Sequence, residues 1–145
     1  MILLPDAQRW PALLNADNNT HFAAFSRVKQ CEENKNKAYK INVIGTGNVV
    51  KAIKNSKKKI KLVFMSSDAV YPSTKGNYKE SDKLKPYNYY GLTKIIGEQL
   101  IKLNKNYVII RGRFFNKNKI PFRSSASNIF TSSLEVKDFV KQIYK

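Results

Sequence analysis

Tyr90 and Lys94 stand four residues apart in YYGLTKIIGEQLIKLN, the spacing that puts two side chains on one face of a helix. An ammonium beside a phenol stabilises the phenolate and draws the tyrosine pKa down from about 10 towards neutrality. A tyrosine tuned that way can pass a proton to or from a carbonyl or hydroxyl oxygen. Taken alone, Tyr-x-x-x-Lys also occurs on ordinary helix surfaces. Ser66-Ser67-Asp68 supplies a second part, at the end of the apolar run LVFM. In a parallel sheet the C-terminal ends of the strands gather where ligands bind. A serine hydroxyl there can hold the oxygen that the tyrosine protonates; the plainer reading is a serine that caps a turn.

The elements that must position these residues follow from patterning. KIKLVFMSSDAVY predicts a buried strand over Leu62, Val63, Phe64 and Met65. PSTKGNYKESDKLKPYN is rich in turn formers. The Tyr90 segment predicts a helix, with Leu92, Ile95, Ile96, Gln99, Leu100 and Leu103 at helical spacing. NYVIIRGRFF predicts a second buried strand, NKNKIPFRSSASNIFTSS a loop, and LEVKDFVKQIYK a closing amphipathic helix through Leu134, Phe139, Val140 and Ile143. Upstream, THFAAF predicts a short buried strand. Val28, Cys31, Ala38, Ile41, Val43, Ile44, Val49, Ala52 and Ile53 fit a long helix. Residues 1–20 read as an irregular segment, and 21–145 as one partial domain. Strands alternating with helices imply an α/β fold, a Rossmann-like parallel sheet with flanking helices.

INVIGTGNVVKAIKN invites a different reading, since an apolar run into Gly-Thr-Gly opens many phosphate-binding turns. Gly45 and Gly47 would then be the first two glycines, with Val50 in place of the third small residue and Asp68 near the distance of a ribose-binding acid. That reading leaves Ser67, Tyr90 and Lys94 without a role. Placing the stretch on the helix before the Ser67 strand accounts for all three. Gly45 and Gly47 are then expected as close-packing positions, at about 1 kcal/mol each in helix propensity.

The 145 residues suit one domain, and an apolar content of 42% suffices for a core. The net charge of +17 comes mostly from lysines in short scattered groups. It reads as a solvated Lys-rich surface, and a nucleic-acid partner, which would show a steep salt dependence, is not expected. No run approaches the roughly 20 apolar residues of a membrane span, and no basic start precedes a long apolar core as in a signal peptide. One Cys and one His allow neither an internal disulfide nor a structural zinc site. A cytoplasmic protein is expected.

Taken in order, these segments resemble the extended short-chain dehydrogenase/reductase family, in the sugar-nucleotide branch typified by dTDP-4-dehydrorhamnose reductase and related epimerases. HFAAF resembles the family's fourth strand, and the segment from Cys31 to Ile53 the following helix, with an Asn-x-x-Gly-Thr signature at Asn42, Gly45 and Thr46. LVFMSSDAVYP resembles the fifth strand, whose catalytic Ser/Thr falls on Ser67, and YKESDKLKPYNYYGLTKIIGEQL is similar to the acidic-Pro-Tyr-x-x-x-Lys-x-x-x-Glu stretch. The resemblance implies Tyr90 as general acid/base, Lys94 as the group that lowers its pKa and holds the nicotinamide ribose, and Ser67 as hydrogen-bond partner of the reacting oxygen. It implies an NADP or NAD cofactor lined by Phe22, Ala23, Ala24, Phe25, Ser26 and Asn42, and substrate contacts from Ser67, Asp68 and Arg113. Tyr87 and Arg111 are further candidates, against plain readings of packing and surface charge. Ala69 follows Asp68 where the family's dehydratases carry Glu, which argues against dehydration.

The implied activity is NAD(P)-dependent reduction or epimerisation of a nucleotide-linked 4-keto sugar in surface-polysaccharide synthesis. The family's glycine-rich opening has no counterpart here, since residues 1–20 contain no glycine. The expectation is an N-terminally truncated sheet with an exposed edge, supplied by a homo-oligomer or a complementing subunit. The alternative is a non-catalytic fragment or degenerate member without cofactor binding.

Overall fold

A computed structural model describes residues 18–21, 24–56, 58–115, 134–136 and 138. Two compact units divide the chain between Arg111 and Gly112. The first is built on three parallel strands in the order β1 (Asn18–His21), β2 (Lys61–Met65), β3 (Tyr107–Ile110). Asn19 pairs with Leu62, and Leu62 with Tyr107. The central strand is the apolar run, and Leu62 and Phe64 are fully buried, as a strand covered on its faces requires.

Among the described residues four α-helices flank these strands in sequence: α1 (Val28–Glu33), α2 (Lys35–Tyr39), α3 (Gly45–Asn55) and α4 (Tyr89–Ile101). The long helix expected over residues 28–55 is thus interrupted twice. Asn34 leaves helical geometry at φ −134° and ψ 73°; its side chain then accepts the Lys37 N–H, 2.9 Å away, and starts α2. From Lys40 to Ile44 the backbone is π-helical, and the Gly45 N–H reaches back to the Lys40 carbonyl. The Thr46 hydroxyl bonds the Asn42 carbonyl at 2.6 Å. Beyond it, Val49, Val50 and Ile53 pack with Ile60, Leu62, Phe64 and Ile101 to form the core.

The first strand starts earlier than THFAAF suggested, within the segment read as irregular. Beyond it, Asn42 bonds both the N–H and the carbonyl of Phe25, at 2.7 and 3.1 Å. Those backbone groups cannot also serve the sheet. NYVIIRGRFF is likewise two elements: the ladder stops at Ile110, and the Arg111 side chain that follows bonds inward to Glu98. In the second unit, β4 (Phe114–Phe115) pairs in parallel with β5 (Leu134–Glu135). Leu134 therefore begins a strand where the closing helix was expected, while Val136 and Asp138 after it are helical; Phe139, Val140 and Ile143 lie outside the described residues. No helix among the described residues is long and apolar enough to cross a membrane.

Gly45 and Gly47 are not the close-packing positions expected of them. A Cβ at Gly47 would meet Leu100 Cδ1 at 3.8 Å, and one at Gly45 the Lys40 carbonyl at 3.8 Å, both ordinary contacts. Gly47→Ala is therefore expected to raise stability by about 0.5–1 kcal/mol, from helix propensity and a less free unfolded chain. A melting temperature raised by roughly 2–4 °C would show it; a lower one would mean that the helix–helix contact is tighter than 3.8 Å implies.

Candidate active site

Ser66 and Ser67 follow the end of β2, and Tyr90 and Lys94 face them from the first turns of α4. Two glycines let α4 come this close. A Cβ at Gly91 would lie 2.2 Å from the Ala69 carbonyl oxygen, and one at Gly97 would lie 2.7 Å from the Phe64 ring. Asn88 caps the helix, its Oδ1 accepting the Gly91 N–H at 2.7 Å. Its Nδ2 is the one buried side-chain nitrogen or oxygen among the described residues without a hydrogen-bond partner. Glu32 of α1 accepts the N–H of Tyr89 and ties that end of the helix down.

Ser67 caps the 3-10 turn Asp68–Val70: its Oγ accepts the Ala69 N–H at 3.2 Å and donates to Asp68 Oδ1 at 3.1 Å. It therefore takes the turn-capping role weighed for it, and it lies near enough to the Tyr90 hydroxyl to draw that phenol's pKa down. Burial pushes the Tyr90 phenol up to about 12, Ser67 pulls it partly back, and Cys31 and Asp68 add to the rise. The expected lowering by Lys94 is thus reversed. The Lys94 ammonium is directed elsewhere, donating to the Met65 carbonyl at 2.7 Å, 4.8 Å from the Phe64 ring centroid and 5.9 Å from that of Tyr90. Lys94 is 3% exposed; burial draws its pKa down to about 8, against an upward pull from Glu98.

Asn42, assigned to the cofactor from the sequence, spends its amide inside the chain. It is buried, with Nδ2 donating to the Phe25 carbonyl and to Thr93 Oγ1 (2.9 Å), and Oδ1 accepting from Phe25. Thr93 in turn donates to the Tyr90 carbonyl at 2.7 Å. One side chain thus fixes the segment after β1 to the turn of α4 that carries Tyr90. Ala24 and Phe25 are half-buried and Ser26 is exposed; Phe22 and Ala23 lie outside the described residues. Tyr87 is 58% exposed. Arg113 is an exposed residue of the second unit.

Arg111 is no surface charge. Its Nε and Nη2 hold the two carboxylate oxygens of Glu98 at 2.9 and 2.7 Å, and Nη1 bonds the Tyr71 hydroxyl and the Glu80 carbonyl, each at 2.9 Å. The bonds to Glu98, and after them the one to Tyr71, raise the guanidinium's pKa above its ordinary value against the opposing effect of burial. Glu98 is fully buried and also takes the Ser66 hydroxyl. The sequence placed Ser66 beside Ser67 at the strand end and Glu98 in the Tyr-x-x-x-Lys-x-x-x-Glu stretch, without pairing either with Arg111, and gave Tyr71 no role. The available signal was the spacing of Glu98, one helical turn after Lys94. Among the described residues no cluster of His, Cys, Asp and Glu could hold a metal ion.

Comparison with known proteins agrees with this architecture. Residues 6–125 match the RmlD substrate binding domain. UDP-glucose 4-epimerase of Mycoplasma genitalium is 37% identical over 112 residues, covering 72% of this chain and 33% of the epimerase. A hypothetical dTDP-4-dehydrorhamnose reductase from Sulfolobus tokodaii is 40% identical, with a TM-score of 0.64 over 69% of this chain and 36% of its own. The dTDP-4-dehydrorhamnose reductase of Bacillus anthracis, solved with NADP, is 32% identical, with a TM-score of 0.68 over 77% of this chain and 41% of its own. The chain spans about a third of the length of the curated relatives it matches. With its parallel Rossmann-like sheet and matched residues, the chain belongs to the RmlD substrate-binding-domain family, among the extended short-chain dehydrogenase/reductases.

Proposed function

We propose that this chain carries the proton-transfer part of an NAD(P)-dependent reductase or epimerase acting on a nucleotide-linked 4-keto sugar, in cytoplasmic synthesis of surface-polysaccharide sugars. The feature that supports it is the approach of the Tyr90 phenol to Ser67 at a strand's C-terminal end, with Lys94 one turn along the same helix. A phenol with a pKa of about 12 is a proton donor at neutral pH. It suits an oxygen that gains negative charge, as a carbonyl does on reduction. Ser67 can turn its hydroxyl from Asp68 to the same oxygen. A phenolate left on Tyr90 would face the Lys94 ammonium across the ring.

The donor set fits the ribose end of a nicotinamide cofactor. Lys94 gives one N–H to Met65, and two more suit vicinal hydroxyls. Residues Phe22 to Ser26 would line that cofactor, with Asn42 acting through the Phe25 backbone. Asp68 and Arg113 would contact the sugar nucleotide. When bound, NAD(P) supplies the hydride chemistry.

The test is NADPH-dependent reduction of a dTDP-4-keto sugar by the full chain. Tyr90→Phe is expected to lower turnover by about a hundredfold or more, with KM little changed. Turnover equal to the parent's would overturn the assignment of Tyr90. A parent without turnover that takes up neither NADH nor NADPH in calorimetry would instead support the non-catalytic reading.

A further inference from the structure

Thr93 takes no part in the proton transfer described above, yet it stands between the two segments that must agree for it. The residue is 1% exposed, and its hydroxyl accepts from Asn42 Nδ2 at 2.9 Å and donates to the Tyr90 carbonyl at 2.7 Å. A threonine that bonds a carbonyl three residues back is common on helices; this one is also held from the far side. Asn42 Nδ2 gives its other hydrogen to the Phe25 carbonyl at 3.1 Å, and Asn42 Oδ1 takes the Phe25 N–H at 2.7 Å. The Thr46 hydroxyl fixes the backbone of Asn42 through its carbonyl, at 2.6 Å. One chain of bonds thus runs from the backbone after β1, through Asn42 and Thr93, to the residue that carries the phenol. At the Phe25 end the connection is doubled, since that carbonyl also takes the Cys31 thiol at 3.1 Å. At the Tyr90 end a single hydroxyl carries it.

We propose that Thr93 is a positioning residue: its hydroxyl couples the segment after β1 to Tyr90, so that the turn of α4 presenting the phenol follows the backbone at Phe25. The inference rests, for its consequence in turnover, on the reading in which Phe22 to Ser26 line the cofactor and Tyr90 moves the proton. The coupling itself belongs to the free chain and is measured without turnover, so the two can fail separately. Two substitutions separate the hydroxyl from packing. Thr93→Val keeps the branched shape and removes both bonds, which strands one Asn42 N–H in the interior. Thr93→Ser keeps the hydroxyl and leaves a methyl-sized void. A residue that only filled space would tolerate Thr93→Val better; a coupling residue tolerates Thr93→Ser better.

The experiment is amide hydrogen exchange of the full chain without ligand, read by NMR at Phe25. The reference is Leu62, whose N–H bonds the Asn106 carbonyl at 3.0 Å in the core strand. Relative to Leu62, Phe25 should exchange about tenfold faster in Thr93→Val, the weight of roughly one hydrogen bond. In Thr93→Ser the ratio should stay at the parent's. Where Thr93→Val does not fold, Thr93→Ala set against Thr93→Ser gives the same comparison, because those two differ by the hydroxyl alone. General loosening accelerates both amides together. An unchanged ratio in Thr93→Val, or equal changes in Thr93→Val and Thr93→Ser, therefore overturns the proposal. In the reductase assay kcat should fall about tenfold in Thr93→Val, with KM for the sugar nucleotide little changed, and Thr93→Ser should restore most of it. An unchanged kcat in Thr93→Val would overturn the role at Tyr90. A parent without turnover would overturn the reading it rests on and leave the exchange ratio to decide the coupling.

Discussion

Arg111→Met is expected to cost about 3–5 kcal/mol of folding stability, the effect of leaving one member of a buried ion pair uncompensated. The side chain of Arg111 is 15% exposed and that of Glu98 0%, so water cannot take the guanidinium's place. The methionine recovers the apolar packing of the arginine stem and none of its bonds. Four are lost together: two to Glu98, one to the Tyr71 hydroxyl and one to the Glu80 carbonyl. The last two matter beyond the pair. The Tyr71 hydroxyl also donates to the Lys79 carbonyl at 3.1 Å, and the Tyr71 ring stacks on Tyr78 at 4.7 Å. The turn-rich segment after β2 is thus tied down through Arg111.

Urea unfolding followed by circular dichroism measures the loss. At a slope of about 2 kcal/mol per molar, the midpoint should fall by roughly 2 M. Adding Glu98→Gln should return much of it, because a neutral pair carries no stranded charge. A loss below about 1 kcal/mol, the range of solvent-exposed pairs, would mean that the pair is screened and not buried.

Locally patterned features were legible in the sequence. LVFM could only be a covered strand, and the spacing of α4 brought Tyr90 and Lys94 to one face. Features decided by partners distant along the chain were not. The π-helical segment at Lys40–Ile44 has no sequence pattern of its own, and neither do the bonds of Asn42 to the Phe25 backbone. Arg111 looks like any basic residue after a strand until Glu98 is found opposite it. The direction of the Tyr90 shift failed for a physical reason. Sequence spacing places the ammonium near the phenol, but burial acts on both groups, and it outweighs the attraction that an exposed pair would show. The glycines carried the most misleading signal. Gly-Thr-Gly attracts attention through its resemblance to a phosphate turn, while Gly91 and Gly97, spaced like any small helix residues, are the ones whose missing Cβ atoms the fold needs.

Gly91→Ala should therefore be disruptive where Gly47→Ala is stabilising, although both put the same methyl group on a helix. The Gly91 methyl would sit 2.2 Å from the Ala69 oxygen, 3.0 Å from the Ala69 carbonyl carbon and 3.0 Å from Pro86 Cβ. Two of these are backbone atoms of the turn that Ser67 caps, and no rotamer change relieves the overlap. The first turn of α4 must retreat from that turn, at a cost of about 3 kcal/mol, the upper part of the usual overpacking range. Tyr90 immediately precedes Gly91, so the same retreat draws its hydroxyl away from Ser67. A displacement of about 1 Å at a reacting group can cost a hundredfold in rate. Gly97→Ala provides the comparison, since its methyl meets the Phe64 ring at 2.7 Å, a side chain that can shift. Its loss of stability should be smaller, and the Tyr90–Ser67 contact should survive. Thermal unfolding of the three alanine variants should give a gain at Gly47, a moderate loss at Gly97 and the largest loss at Gly91. Turnover should fall most at Gly91. Equal losses at Gly91 and Gly97 would show that α4 moves as one rigid body, and that the close approach at Ala69 does not by itself set the site.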